Sequence, residues 1–105
     1  MRAVVCREFG PYQDMEIDDI DLPAPGAAQI LIDTKAAGVS FGTSLVIAGK
    51  YQRKPPRPFA PGTEVAGVVL EIGADVTGIS VGQRVYAAID WGGFAERAIA
   101  RDIHT

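Results

Sequence analysis

Residues 58–73, PFAPGTEVAGVVLEIG, decide the fold reading, because they combine two prolines, a glycine turn and an uninterrupted run of β-branched and small residues. The run VAGVVLEI reads as a strand beginning near Val65, with Gly67 marking a bulge or a close backbone approach. One acidic residue, Glu64, stands at its head. A carboxylate buried without a partner would be costly, so Glu64 is expected to accept loop amides or pair with a base, holding the turn at Gly62. A supporting role beside a cleft is the functional alternative.

Working outward, the same vocabulary recurs. Residues 2–7 read as a first strand, and Gly10-Pro11 as a turn. MEIDDIDLP reads as an edge strand with one wet face, its aspartates discouraging pairing with another chain. PAPGAAQ is a second turn, after which ILIDTKAAGV alternates Ile30, Ile32, Thr34 and Ala36 against Leu31, Asp33 and Lys35, the pattern of a half-buried strand. In SFGTSLVIAGKY the spacing of Phe41, Leu45 and Ala48 predicts a short helix, capped by Ser40 and ended by Gly49. Prolines 55, 56, 58 and 61 hold the following chain extended and suit the wall of a cleft. Two turns within residues 73–85 and two short strands around Gly92-Gly93 complete six or seven strands. The reading is a mainly β chain folded as a compact, partly open β-barrel with one short helix.

Composition narrows the function. The chain has 105 residues and 12 glycines, with a formal net charge of −3, which suits one domain and gives no global attraction for nucleic acid or an anionic membrane. No stretch approaches the ~20 apolar residues of a spanning helix, and the first ten residues are too short for a signal-peptide core. Cys6 has no second cysteine to pair with and reads as a small buried thiol, compatible with a reducing compartment. His104 is the sole histidine, too few ligands for a Cys/His zinc site. Neither GxGxxG nor GxxxxGK occurs, so the chain carries no phosphate loop of its own. Lys50, Arg53, Lys54 and Arg57 form a basic run beside Tyr51, read as a solvated loop with a ligand-facing role as the alternative. Ser40, Thr43, Tyr51 and Thr63 are neutral hydroxyls able to orient a carbonyl compound.

In order along the chain, AGVSF (37–41), GKYQ (49–52), GTEVAG (62–67) with Gly73 and Val76, VGQRV (81–85) and GGFAE (92–96) resemble the medium-chain dehydrogenase/reductase superfamily, nearest its quinone oxidoreductase branch. The resemblance covers nearly the whole chain. It implies a GroES-like catalytic, substrate-side domain over residues 1–105, an incomplete piece of a two-domain enzyme whose Rossmann cofactor domain lies outside it. The implied enzyme transfers hydride from NADPH to a quinone or related carbonyl compound, as a cytoplasmic homodimer, while the fragment alone is inactive. Zinc-dependent members have a cysteine at Ser40 and a histidine at Thr63, so zinc-free chemistry is implied.

The resemblance makes Ser40, Tyr51 and Thr63 the catalytic candidates, with Ser40 and Thr63 also against the cofactor, Thr43, Leu45 and Tyr51 against substrate, and Gly62, Glu64 and Gly67 structural. Quinone oxidoreductases often carry asparagine, aspartate and tyrosine where this chain has Ser40, Thr43 and Leu45. An enone or enoyl reductase is therefore the alternative substrate class. A GroES-type co-chaperonin, of similar length and related barrel, is a third reading, opposed by the acidic PYQDMEIDDIDLP where a mobile apolar loop would stand.

Overall fold

The computed structural model describes residues 1–50 and 54–105, so the Tyr51 and Arg53 readings lie outside the described residues. The described residues form six strands and one α-helix: β1 (Arg2–Val5), β2 (Glu16–Asp19), β3 (Gln29–Ala37), α1 (Phe41–Ala48), β4 (Glu64–Ile72), β5 (Arg84–Ala88) and β6 (Arg97–Arg101). Single 3-10 turns at Tyr12–Asp14 and Asp102–His104 add two short elements that the sequence pattern did not suggest.

The strands form two open antiparallel sheets, a ribbon β1-β2 and a four-stranded sheet ordered β5-β4-β3-β6. A single segment couples them. Just before β6, the amide of Val4 donates to the Phe94 carbonyl (2.8 Å), and the amide of Glu96 donates to the Arg2 carbonyl (3.1 Å). One residue-length further on, the same chain has crossed over, since the Thr34 amide donates to the Glu96 carbonyl at 3.0 Å. Cys6 and Phe59 exchange a second pair of backbone bonds, 2.8 and 3.1 Å long, that fastens the ribbon to the proline segment. The result is a partly open barrel.

β3 and β4 sit at the centre, and their contact explains two glycines. At Gly67 a Cβ would lie 2.1 Å from the Asp33 carbonyl oxygen, so only a residue without a side chain lets the strands approach this closely. At Gly62, φ is +106° and a Cβ would stand 2.8 Å from the Gly93 Cα. That glycine supplies both a left-handed backbone and the room for Gly93 and Phe94 to hydrogen bond back onto residues 61 and 62.

Ile30, Ile32, Val65, Val69, Val76, Ala87, Ala98 and Ala100 make the main core, with Cys6, Val46, Ile47 and Phe59 packed as a second cluster around the helix. One expectation is corrected here, at β3. β3 is not half-buried along its length: Leu31, on its second face, is 7% exposed, because β3 is paired on both edges and covered near its start. Its far half does open, and a register shift between Thr34 and Ala36 leaves Ala36 exposed. The helix ends as expected, Ser40 at its N-cap and Gly49 left-handed at its C-cap, yet its inner face is Thr43, Val46 and Ile47. Phe41 is 79% exposed and Leu45 and Ala48 are half-buried, since the Cys6–Phe59 cluster meets the other side of the helix. The second strand is an edge strand as expected, but all four residues of β2 are exposed, so both of its faces are wet and not one, because β1 is its sole strand partner among the described residues.

Candidate active site

Antiparallel pairing gathers the candidate residues at one end of the large sheet. Ala37 faces Val65 across β3 and β4, and the Gly38 amide donates to the Glu64 carbonyl at 3.1 Å. Two residues past Gly38 stands Ser40; one residue before Glu64 stands Thr63. The carbonyl of Thr63 accepts from the Ile89 amide at 2.8 Å, which ties the start of β4 to the loop after β5. Strand register thus places Ser40 and Thr63, 23 positions apart in sequence, beyond the same end of the β3–β4 pair.

Ser40 is exposed, while Thr63 and Leu45 are half-buried. Thr43 is the exception, only 3% exposed, and its Oγ1 lies 3.3 Å from the Ser40 Oγ. Ser40 makes no side-chain bond to the helix amides; the Thr43 amide bonds instead to the Ser40 carbonyl at 3.2 Å. Its hydroxyl is therefore not consumed in capping. Val39 and Phe41, on either side of Ser40, are 84% and 79% exposed and frame it with apolar surface. Helical spacing predicts the helix but does not tell which way Phe41 faces.

Glu64 differs from its expected behaviour. Its carboxylate is exposed and, among the described residues, forms no hydrogen bond or ion pair. It lies across Gly38, where a Cβ would come within 2.0 Å of Oε1. The strand-opening contact is made by its backbone carbonyl, so the turn at Gly62 is held by main-chain bonds to Gly92, Gly93 and Phe94. The basic run is a solvated surface at Lys50, Lys54 and Arg57, with the Arg57 guanidinium 4.7 Å from the centre of the Phe9 ring.

A cavity of about 680 Å³ opens between Ile20–Pro23, Pro56 and Pro58–Ala60, Ala88–Gly92 and the end of β6. Pro56 and Pro58 line it, as the proline wall suggested, and Asp90, Trp91 and His104 add polar and aromatic groups that the motif reading passed over. Neither Ser40, Thr43, Leu45 nor Thr63 lines this cavity. Ser40 and Thr63 lie instead at the end of the β3–β4 pair, an open shelf on which Ser40 is exposed and Thr63 half-buried. Among the described residues no three His, Cys, Asp or Glu side chains gather as a metal set. No helix there is long and apolar enough to cross a membrane.

Resolved shifts in acidity lie away from the shelf. Burial pushes the Cys6 thiol up, partly offset by the Arg57 charge and by its contact with the Glu8 carbonyl. The Asp19 amide and the Arg7 side chain hold Asp18 below the usual carboxylate range.

With this geometry in hand, comparison with known proteins is specific. The signature of the alcohol dehydrogenase GroES-like domain matches residues 26–102. The chain belongs to that family. Its relatives include quinone oxidoreductase-like protein 2 of Rattus norvegicus, 40% identical over 93% of this chain and 27% of the relative. Quinone oxidoreductase of Homo sapiens is 39% identical over 100% of this chain and 32% of its own length. Among solved structures, mycobacterial Rv1454c complexed with NADPH superposes with a TM-score of 0.89 at 35% identity, over 99% of this chain and 32% of that one. This chain thus spans about a third or less of the length of these proteins, and the superfamily resemblance read from AGVSF, GTEVAG and GGFAE is borne out.

Proposed function

We propose that residues 1–105 are the substrate-side part of an NADPH-dependent oxidoreductase that reduces a quinone or enone carbonyl compound without zinc, completed by a Rossmann domain outside this chain. The observation that supports this most is the shelf at the end of the β3–β4 pair, with Ser40 following β3 and Thr63 preceding β4. It offers neutral hydroxyl donors where the zinc-dependent enzymes use a thiolate and an imidazole, and among the described residues the Thr63 hydroxyl has no partner of its own. Such donors fit the nicotinamide end of the cofactor, whereas no phosphate loop is present for the other end.

NADPH, when bound, supplies the hydride. The chain's part is to orient the acceptor and to stabilise negative charge on its oxygen. Ser40, flanked by apolar Val39 and Phe41, can donate to that oxygen in a partly water-excluding setting once the shelf is closed, where a fixed donor is worth more than in water. The Thr43 and Leu45 positions lack the carboxylate and phenol of many quinone oxidoreductases, which favours keeping enones beside quinones as the acceptor class.

The test is an assay of the full-length protein with NADPH against a quinone panel and an enone panel, with chelators present and absent. Turnover that survives chelation and falls in Ser40→Ala or Tyr51→Phe supports the reading. Activity lost to chelation and restored by zinc, or indifference to both substitutions in a folded enzyme, overturns it.

A further inference from the structure

Thr43 was read as a substrate contact, but its position argues for a different part. At 3% exposure its side chain is sealed beneath the first turn of α1, and its Oγ1 meets the Ser40 Oγ at 3.3 Å. Among the described residues that is its only side-chain partner. A threonine in a helix usually turns its hydroxyl to a carbonyl one turn back, and an N-cap serine usually bonds a helix amide. Neither occurs here: the two hydroxyls take each other as partners, while Ser40 stays exposed on the shelf.

We infer that Thr43 is a positioning residue for Ser40, its buried hydroxyl donating to Ser40 Oγ so that the Ser40 proton points out to the acceptor oxygen. The inference rests on the proposed reductase function and deepens it. A donor supported from behind by a second hydroxyl is polarised and held in one rotamer, and both effects serve charge that develops on the acceptor. Thr43 itself touches neither substrate nor cofactor.

A double-variant cycle in the full-length protein tests this, with NADPH and whichever quinone or enone the wild type reduces fastest. Ser40→Ala is expected to lower kcat about 100-fold, by analogy with a lost oxyanion donor. Thr43→Val, close in volume, is expected to lower kcat about tenfold with KM within about twofold, the worth of one hydrogen bond. Because Thr43 works only through Ser40, the double variant should match Ser40→Ala within about twofold. Thr43→Ser, which restores the hydroxyl, should return kcat to within about threefold of wild type. Thermal unfolding of each variant separates loss of the hydroxyl from loss of the fold. Costs that multiply in the double variant, an unchanged kcat in Thr43→Val, an unaffected Ser40→Ala, or failure of Thr43→Ser to rescue overturn this inference while leaving the reductase reading in place. A wild type that reduces neither panel overturns the reductase reading, and this inference falls with it.

Discussion

β2 and β3 are written in nearly the same letters, isoleucine next to aspartate in an extended run, yet they live in opposite surroundings. Ile17 of β2 is 75% exposed; Ile32 of β3 is 0% exposed. β2 has one neighbour, β1, and nothing over either face, whereas β3 is paired on both edges by β4 and β6 and supplies the middle of the main core. Strand identity is thus local, but burial is decided by how many partners the topology assigns. The candidate shelf hangs from the rigid partner of this pair, since Ser40 follows β3 directly.

The comparison breaks most readily at its buried end. Ile32→Ala should cost roughly 2–5 kcal/mol, because it empties a site with no room to collapse between paired strands. Ile17→Ala should stay within roughly 0.5 kcal/mol. Thermal unfolding of both variants measures the contrast, and equal losses would show that β2 is covered in solution. Next in size is Gly67→Ala, expected to cost roughly 1–3 kcal/mol through the clash with the Asp33 carbonyl. A neutral outcome there would mean that β3 and β4 can slide apart, and the Gly38–Glu64 bond beside Ser40 would loosen with them.

These variants also mark what the residues disclosed in advance. Gly67 announced a close approach, the helix ends were readable from Ser40 and Gly49, and the ordered motifs led to the family that residues 26–102 match. The second buried face of β3 was not readable, because Leu31 looks the same whether one or two neighbours cover it. The packed face of the helix was not readable for a related reason: Phe41, Leu45 and Ala48 and the inner set Thr43, Val46 and Ile47 both satisfy helical spacing. Which one packs depends on Phe59 and Cys6, far away in sequence. At the site, the residue types were legible but the Ser40–Thr43 pairing was not, since a capping bond would have used the same serine.

The ribbon's other strand gives a smaller effect that sharpens the contrast. β1 is anchored where β2 is not, with Val5 1% and Cys6 2% exposed. A disulfide reagent should therefore label Cys6 slowly in the native protein and at once after unfolding. The folded thiol is raised by burial, so its contribution to stability is fully present below the ordinary thiol range, about pH 8.5, and is lost as pH rises through the folded value. Cys6→Ala should flatten that alkaline decline. Rapid native labelling would mean that the Cys6–Phe59 fastening opens readily and that both ribbon strands are peripheral.

The smallest expected effect is on β2 itself, at Asp18, which takes a hydrogen bond from the Asp19 amide and pairs with Arg7. Both contacts favour the charged carboxylate and hold its pKa below the ordinary aspartate value. A depressed value stabilises the fold above the unfolded-state pKa, about 3.9 for aspartate, and that contribution disappears as pH falls through the folded value. The group lies at the surface, where water and salt screen it, so the effect should be slight and should shrink further as ionic strength rises. Asp18→Asn is thus expected to leave the unfolding midpoint nearly unchanged at pH 7 and to remove a shallow, salt-sensitive part of the acid decline below about pH 4. Unfolding midpoints across pH 2 to 7, at low and high salt, would read this directly. A loss at neutral pH comparable with that of Ile32→Ala would mean that the ribbon is held by its charges and not merely decorated with them. The contrast between a strand fixed by neighbours and one left to solvent would then have to be redrawn around the Arg7–Asp18 pair.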